Sequence, residues 1–161
     1  MRNDTHPLRC VLATAVAIAT CWGAAPALAD TPQAVTISTT ITFPDFDSLG
    51  FGTFTATGPI CSSGTLRGVR EALGIGPAAF NVNSLTEFVC DDNSGSFVIH
   101  VHPQANPRPK DGFDLDGPWS IWGKGTGDYA TMSGHGDFGV VIDFSADPLT
   151  GQETYVGFVT L

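Results

Sequence analysis

The sequence predicts an all-β domain, and three observations carry that prediction. Apolar and polar residues alternate with period two through several short runs. Clusters of Gly, Pro, Asp, Asn and Ser separate those runs, and no stretch has convincing helical periodicity. Mostly antiparallel strands joined by short turns, with at most one short helix, build either a closed barrel or a sandwich.

The 161 residues divide into a leader and one domain. Arg2 and Arg9 precede an apolar run from about Cys10 to Trp22, and small residues then end at Ala27-Leu28-Ala29. That layout is a secretory signal peptide over residues 1–29, cleaved after Ala29. Ile18-Ala19-Thr20-Cys21 resembles a lipoprotein cleavage site with Thr20 a poor fit, so a lipid anchor at Cys21 is the minor alternative. Residues 30–161 form a domain large enough to bury a core. No second apolar run of spanning length follows, so the mature form is expected to be secreted and soluble, with no membrane segment.

Within the domain, Val35, Ile37, Ile41 and Phe43 alternate with Thr36, Ser38, Thr40 and Thr42, a strong half-buried strand signal. Pro44, Asp45, Asp47 and Gly50 turn the chain into a second strand, Phe51 to Thr57, which ends at Gly58-Pro59. Thr65 to Phe80 is the least strand-like part, and Val69 to Leu73 is expected to form one or two helical turns stopped by Gly74, Gly76 and Pro77. Leu85 to Cys90 and Ser96 to His102 read as a hairpin around Asp91-Asp92-Asn93-Ser94-Gly95. Pro103 to Gly117, rich in Pro and Asp, reads as an exposed loop. Trp119 to Gly123 is a strand. A glycine-dense stretch follows, and then a strand with Phe138, Val140, Ile142 and Phe144 on one face. After the turn Asp147-Pro148-Leu149-Thr150-Gly151, a last strand runs from Thr154 to Leu161.

Cysteine use and charge narrow the classes. Outside the leader only Cys61 and Cys90 remain, and an exported chain with two cysteines about thirty residues apart is expected to join them in a disulfide. A reactive thiol or metal ligand is the alternative. The formal net charge is −9, and only Arg67, Arg70, Arg108, Lys110 and Lys124 are basic outside the leader. That balance disfavours nucleic acid and anionic membrane as partners, because both need basic patches to neutralise phosphate.

The glycine-dense stretch is the most specific motif. Trp119-x-Ile121-x-Gly123-x-Gly125-Thr126-Gly127-x-Tyr129-Ala130-x-Met132-x-Gly134-x-Gly136 resembles a pattern of the allene oxide cyclase barrel-like superfamily, which includes allene oxide cyclases and dirigent proteins. Lys124 stands where that pattern has its second glycine, and Met132 where it has leucine. The resemblance implies an eight-stranded antiparallel β-barrel of dirigent-like type with an interior cavity. It also implies a role in holding or converting a small hydrophobic molecule, and the possibility of a homo-oligomer. In the family the motif is mainly structural, and the resemblance carries no catalytic residues onto this chain. No cofactor is implied.

Candidate chemistry is sparse. His100 and His102 form an H-x-H, and alternate strand residues share a face, so both imidazoles point the same way. With His135 as a third nitrogen and Glu87 as an oxygen donor they are the candidate metal ligands, against the alternative of solvated polar groups. Glu87, His100 and His102 are also the candidate acid–base groups if their faces turn inward, which the alternation leaves open. Asp111, Asp114 and Asp116 suit calcium in chemistry but not in EF-hand spacing. Gly123 to Gly127 leads into no helix and lacks the phosphate-loop Lys-Ser/Thr ending, which argues against nucleotide binding. No serine sits in a nucleophile-elbow context. The aromatics Trp119, Trp122, Phe88 and Phe138, with Phe54, Phe97, Tyr155 and Phe158, are candidates to line an apolar ligand cavity or to fill the core. Three functions follow from this reading: a carrier or dirigent-like binder, an isomerase or cyclase, and a cell-envelope interaction protein.

Overall fold

A computed structural model gives the fold and describes residues 31–45, 48–75, 80–107, 113–143 and 145–161. Residues 1–30, which include the expected leader and Cys21, lie outside the described residues. Nine strands follow in chain order: β1 (Gln33–Phe43), β2 (Phe51–Thr57), β3 (Ser63–Ile75), β4 (Phe80–Cys90), β5 (Ser96–Val101), β6 (Gln104–Pro107), β7 (Phe113–Ile121), β8 (Ser133–Asp143) and β9 (Leu149–Thr160). A single 3-10 turn at Gly127–Tyr129 is the one helical element among the described residues. Antiparallel pairing runs β3-β2-β1-β9-β8-β7-β5-β4, and the β3–β4 pairing closes the ring.

β5 and β6 are two parts of one barrel stave. Ser84 faces Val101 and Asn81 faces Gln104, so β4 keeps one register past the break, and β7 does the same with Trp119 opposite Val101 and Asp116 opposite Gln104. The ladder is interrupted at His102-Pro103, where proline has no N–H to give. The barrel is therefore closed and eight-stranded, one of the two architectures that the strand pattern leaves open.

Two local expectations are corrected. Val69 to Leu73 is not helical but lies within β3, where pairing to β4 outweighs a weak local preference. The segment Pro103 to Gly117 is not one loop: it contains β6 and the start of β7. Its prolines fit because Pro103 sits at the break and Pro118 contributes its carbonyl, which accepts the His102 N–H at 3.1 Å.

One half of the interior is filled. Phe88 and Phe97 stack at 5.2 Å, and Phe54 and Tyr155 meet Phe88 edge-on at 5.3 and 5.6 Å. Tyr129 packs edge-on against Phe97, and Trp119 is fully enclosed. Each such ring contributes about 1.5 to 3 kcal/mol by leaving water. Cys61 and Cys90 form a disulfide across this end, with Cα atoms 5.9 Å apart.

The glycine-dense stretch seals the same end. Between β7 and β8 it folds over the β4–β5 turn, where the Thr126 N–H donates to the Ser96 carbonyl and the Asp128 N–H to the Ser94 carbonyl, both at 2.8 Å. Gly127 holds φ +57, and a Cβ there would run into the Ser94 carbonyl oxygen, so only glycine meets both demands. Tyr129 then reaches inward, its hydroxyl accepting the Cys61 N–H at 2.9 Å.

Candidate functional site

The other half of the barrel is hollow. A cavity of about 340 Å³, partly open to solvent, lies where β1 ends and β9 begins. The inward residues of β4 explain the division: Val82, Ser84 and Thr86 line the cavity, and the next inward residue, Phe88, belongs to the packed half. Small side chains leave space and a large one ends it. Phe138 and Val140 from β8, Ile41 from β1 and Leu115 from β7 complete a wall that is mostly apolar. Such size and lining suit a small organic ligand.

Glu153 is a buried acid in that wall. It is carried inward by β9 with Gly151 and Tyr155. The Thr39 hydroxyl donates to its Oε2 at 3.0 Å, and the Tyr155 hydroxyl donates to the same oxygen at 2.9 Å. Burial pushes the Glu153 pKa up, against the smaller downward pull of the two hydroxyls, and Glu71 adds further upward pressure. Both of these hydroxyls donate to Oε2, and neither bonds Oε1. Burial and the neighbouring Glu153 carboxyl also push Tyr155 well above its usual value, so it remains a hydroxyl.

A second carboxyl enters through a bulge. β3 and β4 pair as Gly68 with Thr86 and then Arg70 with Leu85, so Val69 is the extra residue. Without it, alternation from Leu66 and Gly68 would aim Arg70 inward and Glu71 outward. With it, Glu71 lies opposite the inward Ser84 and lines the cavity. Much of the Glu71 surface stays accessible, while its carboxyl borders the cavity wall and loses enough water to raise its pKa.

The residues singled out from the sequence fall in three places. Phe138 lines the cavity, and Phe88 and Trp119 are core residues of the packed half. Glu87 is on the outer face, ion-paired to Arg67 at 2.7 Å. His100, His102 and Trp122 also lie outside, so none of these four reaches the cavity, and Trp122 is 53% exposed. His100 and His102 do come together, with ring centroids 3.9 Å apart, but His135 does not join them: Ser120 of β7 stands between His100 and His135 in the ladder. Among the described residues no cluster of three or more His, Cys, Asp or Glu has metal-binding geometry. Asp111 lies outside the described residues, and Asp116 is exposed.

Sequence reasoning missed Glu153, Glu71 and Thr39. For Glu153 a signal existed, because Glu153 is in phase with Tyr155 and Val159. Starting the last strand at Thr154 left it between the turn ending at Gly151 and that strand, whereas β9 begins at Leu149. For Glu71 the helical reading of Val69 to Leu73 assigned no strand face, and in β3 the one-residue bulge reverses the phase besides.

No helix among the described residues is long and apolar enough to cross a membrane. Comparison with protein families, with curated proteins and with solved structures found no match to this chain.

Proposed function

We propose that this protein is exported and binds one small hydrophobic molecule in the open half of its barrel, in the manner of a carrier or dirigent-like protein. The observation that carries the proposal is the 340 Å³ apolar cavity with one buried acid in its wall. Burial favours the acid form of Glu153, and in that form it would offer an O–H to a ligand carbonyl, ether or epoxide oxygen while the apolar wall takes the hydrocarbon part. Export is supported by the signal-peptide layout of residues 1–29 and by the Cys61–Cys90 disulfide, a bond that persists outside the reducing cytosol. The glycine motif, set in an eight-stranded barrel, supports placing the chain with the allene oxide cyclase barrel-like superfamily.

One observation favours a second reading. A carboxyl with a raised pKa beside a shaped apolar cavity is the equipment of a general acid, which would make the protein an isomerase or cyclase. Glu153 would then protonate a ligand oxygen, and the walls would hold the chain in a reactive conformation.

The neutral fluorophore N-phenyl-1-naphthylamine tests the binding reading. Saturable binding at one per barrel is expected, abolished by Ser84→Trp, which fills the cavity while the outer face stays unchanged. 2-Undecanone should displace the probe better than undecane at pH 5, and its advantage should shrink once Glu153 ionises. Absence of saturable binding, or equal binding by Ser84→Trp, would overturn the proposal. Turnover of an added epoxide lost in Glu153→Gln would favour the enzyme.

A further inference from the structure

We infer that His100 and His102 form a two-imidazole clip on the outer face of the barrel for a late first-row divalent metal ion, Cu(II) foremost. This site is separate from the cavity and uses none of its residues.

Three features build it. Val101, between the two histidines, is buried in the core, and Ile99 before them is fully buried, which fixes the strand and turns both imidazoles to the same outer face. The ring centroids are 3.9 Å apart, so the two imidazoles are direct neighbours, and rotation of the exposed His102 ring would aim a nitrogen from each at one ion with bonds of about 2.0 to 2.1 Å. His100 Nε2 lies 2.6 Å from the Asn83 Oδ1, an oxygen that can only accept, so Nε2 carries the hydrogen and Nδ1 keeps its lone pair. A ligand histidine whose other nitrogen donates to a fixed oxygen is the usual outer-shell arrangement of metal sites.

The electrostatics agree. Asn83 on β4 and Ser120 on β7, which faces His100, are both uncharged, and neither repels an incoming cation. Two imidazoles with water in the other positions suit tetragonal Cu(II), which also heads the divalent affinity order. His135 stands two strands from His100, about 9 to 10 Å at the usual strand spacing, and is not part of the clip.

Trp122 supplies the readout, with its ring centroid 4.9 Å from that of His100. Copper(II) sulfate titrated into the protein at pH 7 should quench the exposed Trp122 with a stoichiometry of one, and electron paramagnetic resonance should show two nitrogen ligands. His102→Ala and His100→Ala should each weaken binding at least tenfold, while His135→Ala leaves it unchanged. Trp122→Phe should abolish the quenching yet keep the calorimetric binding. Zinc should bind at the same place more weakly. The inference is overturned if no binding occurs at 100-fold excess copper over protein. It is equally overturned if binding survives both His100→Ala and His102→Ala, or if it is lost in His135→Ala. Because the clip lies outside the barrel, its failure would leave the cavity proposal standing.

Discussion

Replacing Glu153 by glutamine isolates the effect of burying an acid in the cavity wall. The substitution keeps the shape and keeps an amide oxygen that can accept from Thr39 and Tyr155. What changes is titration. The ordinary value for Glu153 is about 4.5, and the folded value is higher. Below pH 4.5 both folded and unfolded chains hold the proton. Between the two values only the folded chain holds it, so stability falls as pH rises, by about 1.4 kcal/mol per pH unit, until Glu153 ionises in the folded state. Glutamine carries no such dependence. Glu71 shifts in the same direction, but it is present in both proteins and largely cancels in the comparison. Urea unfolding of both proteins from pH 4.5 to 8 should therefore give curves that start close together and diverge, with Glu153→Gln the more stable at the upper end. In melting temperature the gap should open by roughly 3 to 5 °C per pH unit. Parallel curves, or a gap that opens with the wild type ahead, would refute the raised acid.

Three further outcomes follow from the geometry. Removing the disulfide by Cys61→Ala with Cys90→Ala should cost about 3 to 4 kcal/mol, measured by urea unfolding, because the bond closes a loop with a sequence separation of 29. Gly136→Val should leave no folded protein by near-ultraviolet circular dichroism, since a Cβ there strikes the Val156 carbonyl and comes within 2.7 Å of the Trp119 Nε1, whereas Gly139→Ala should fold because its nearest neighbour is the movable end of Asp116. Thr39→Val should cost about 1 kcal/mol and carry the fall in stability to higher pH, as one of the two hydroxyls that hold the Glu153 pKa down is lost.

The sequence made the strand faces legible wherever one face was strictly apolar. Val35, Ile37 and Ile41 point inward with Thr36, Ser38 and Thr40 outside, and Phe138, Val140 and Ile142 do the same in β8. The cysteine pairing was equally readable from its spacing and context. Legibility failed where a face was mixed. The inward face of β9 holds Glu153 among Gly151, Tyr155 and Val159, while its outer face exposes Val156 and Phe158, so composition points both ways. In β4 the outward Glu87 lies between Leu85 and Val89, and the inward row includes the polar Ser84 and Thr86 that leave the cavity open. Polar residues inside and apolar ones outside are the inversion that a ligand site imposes on a barrel. Period-two reasoning is weakest at the very place where function is written.

The two halves of the interior also divide the energetics. The packed end holds the aromatic cluster, the disulfide and the glycine-dense cover, and Tyr155 joins it to the open end through its bond to Glu153. The open end does the opposite: it forgoes side-chain volume at Gly68, Ser84 and Thr86, and it buries a carboxyl whose ionisation destabilises the fold. Neither feature makes sense as stabilisation, and filling the space with larger apolar side chains would be the simpler way to a stable barrel. A cavity kept at that cost, with Thr39 and Tyr155 spending both of their hydroxyl donors on one oxygen of Glu153, is the feature that the proposed ligand would account for.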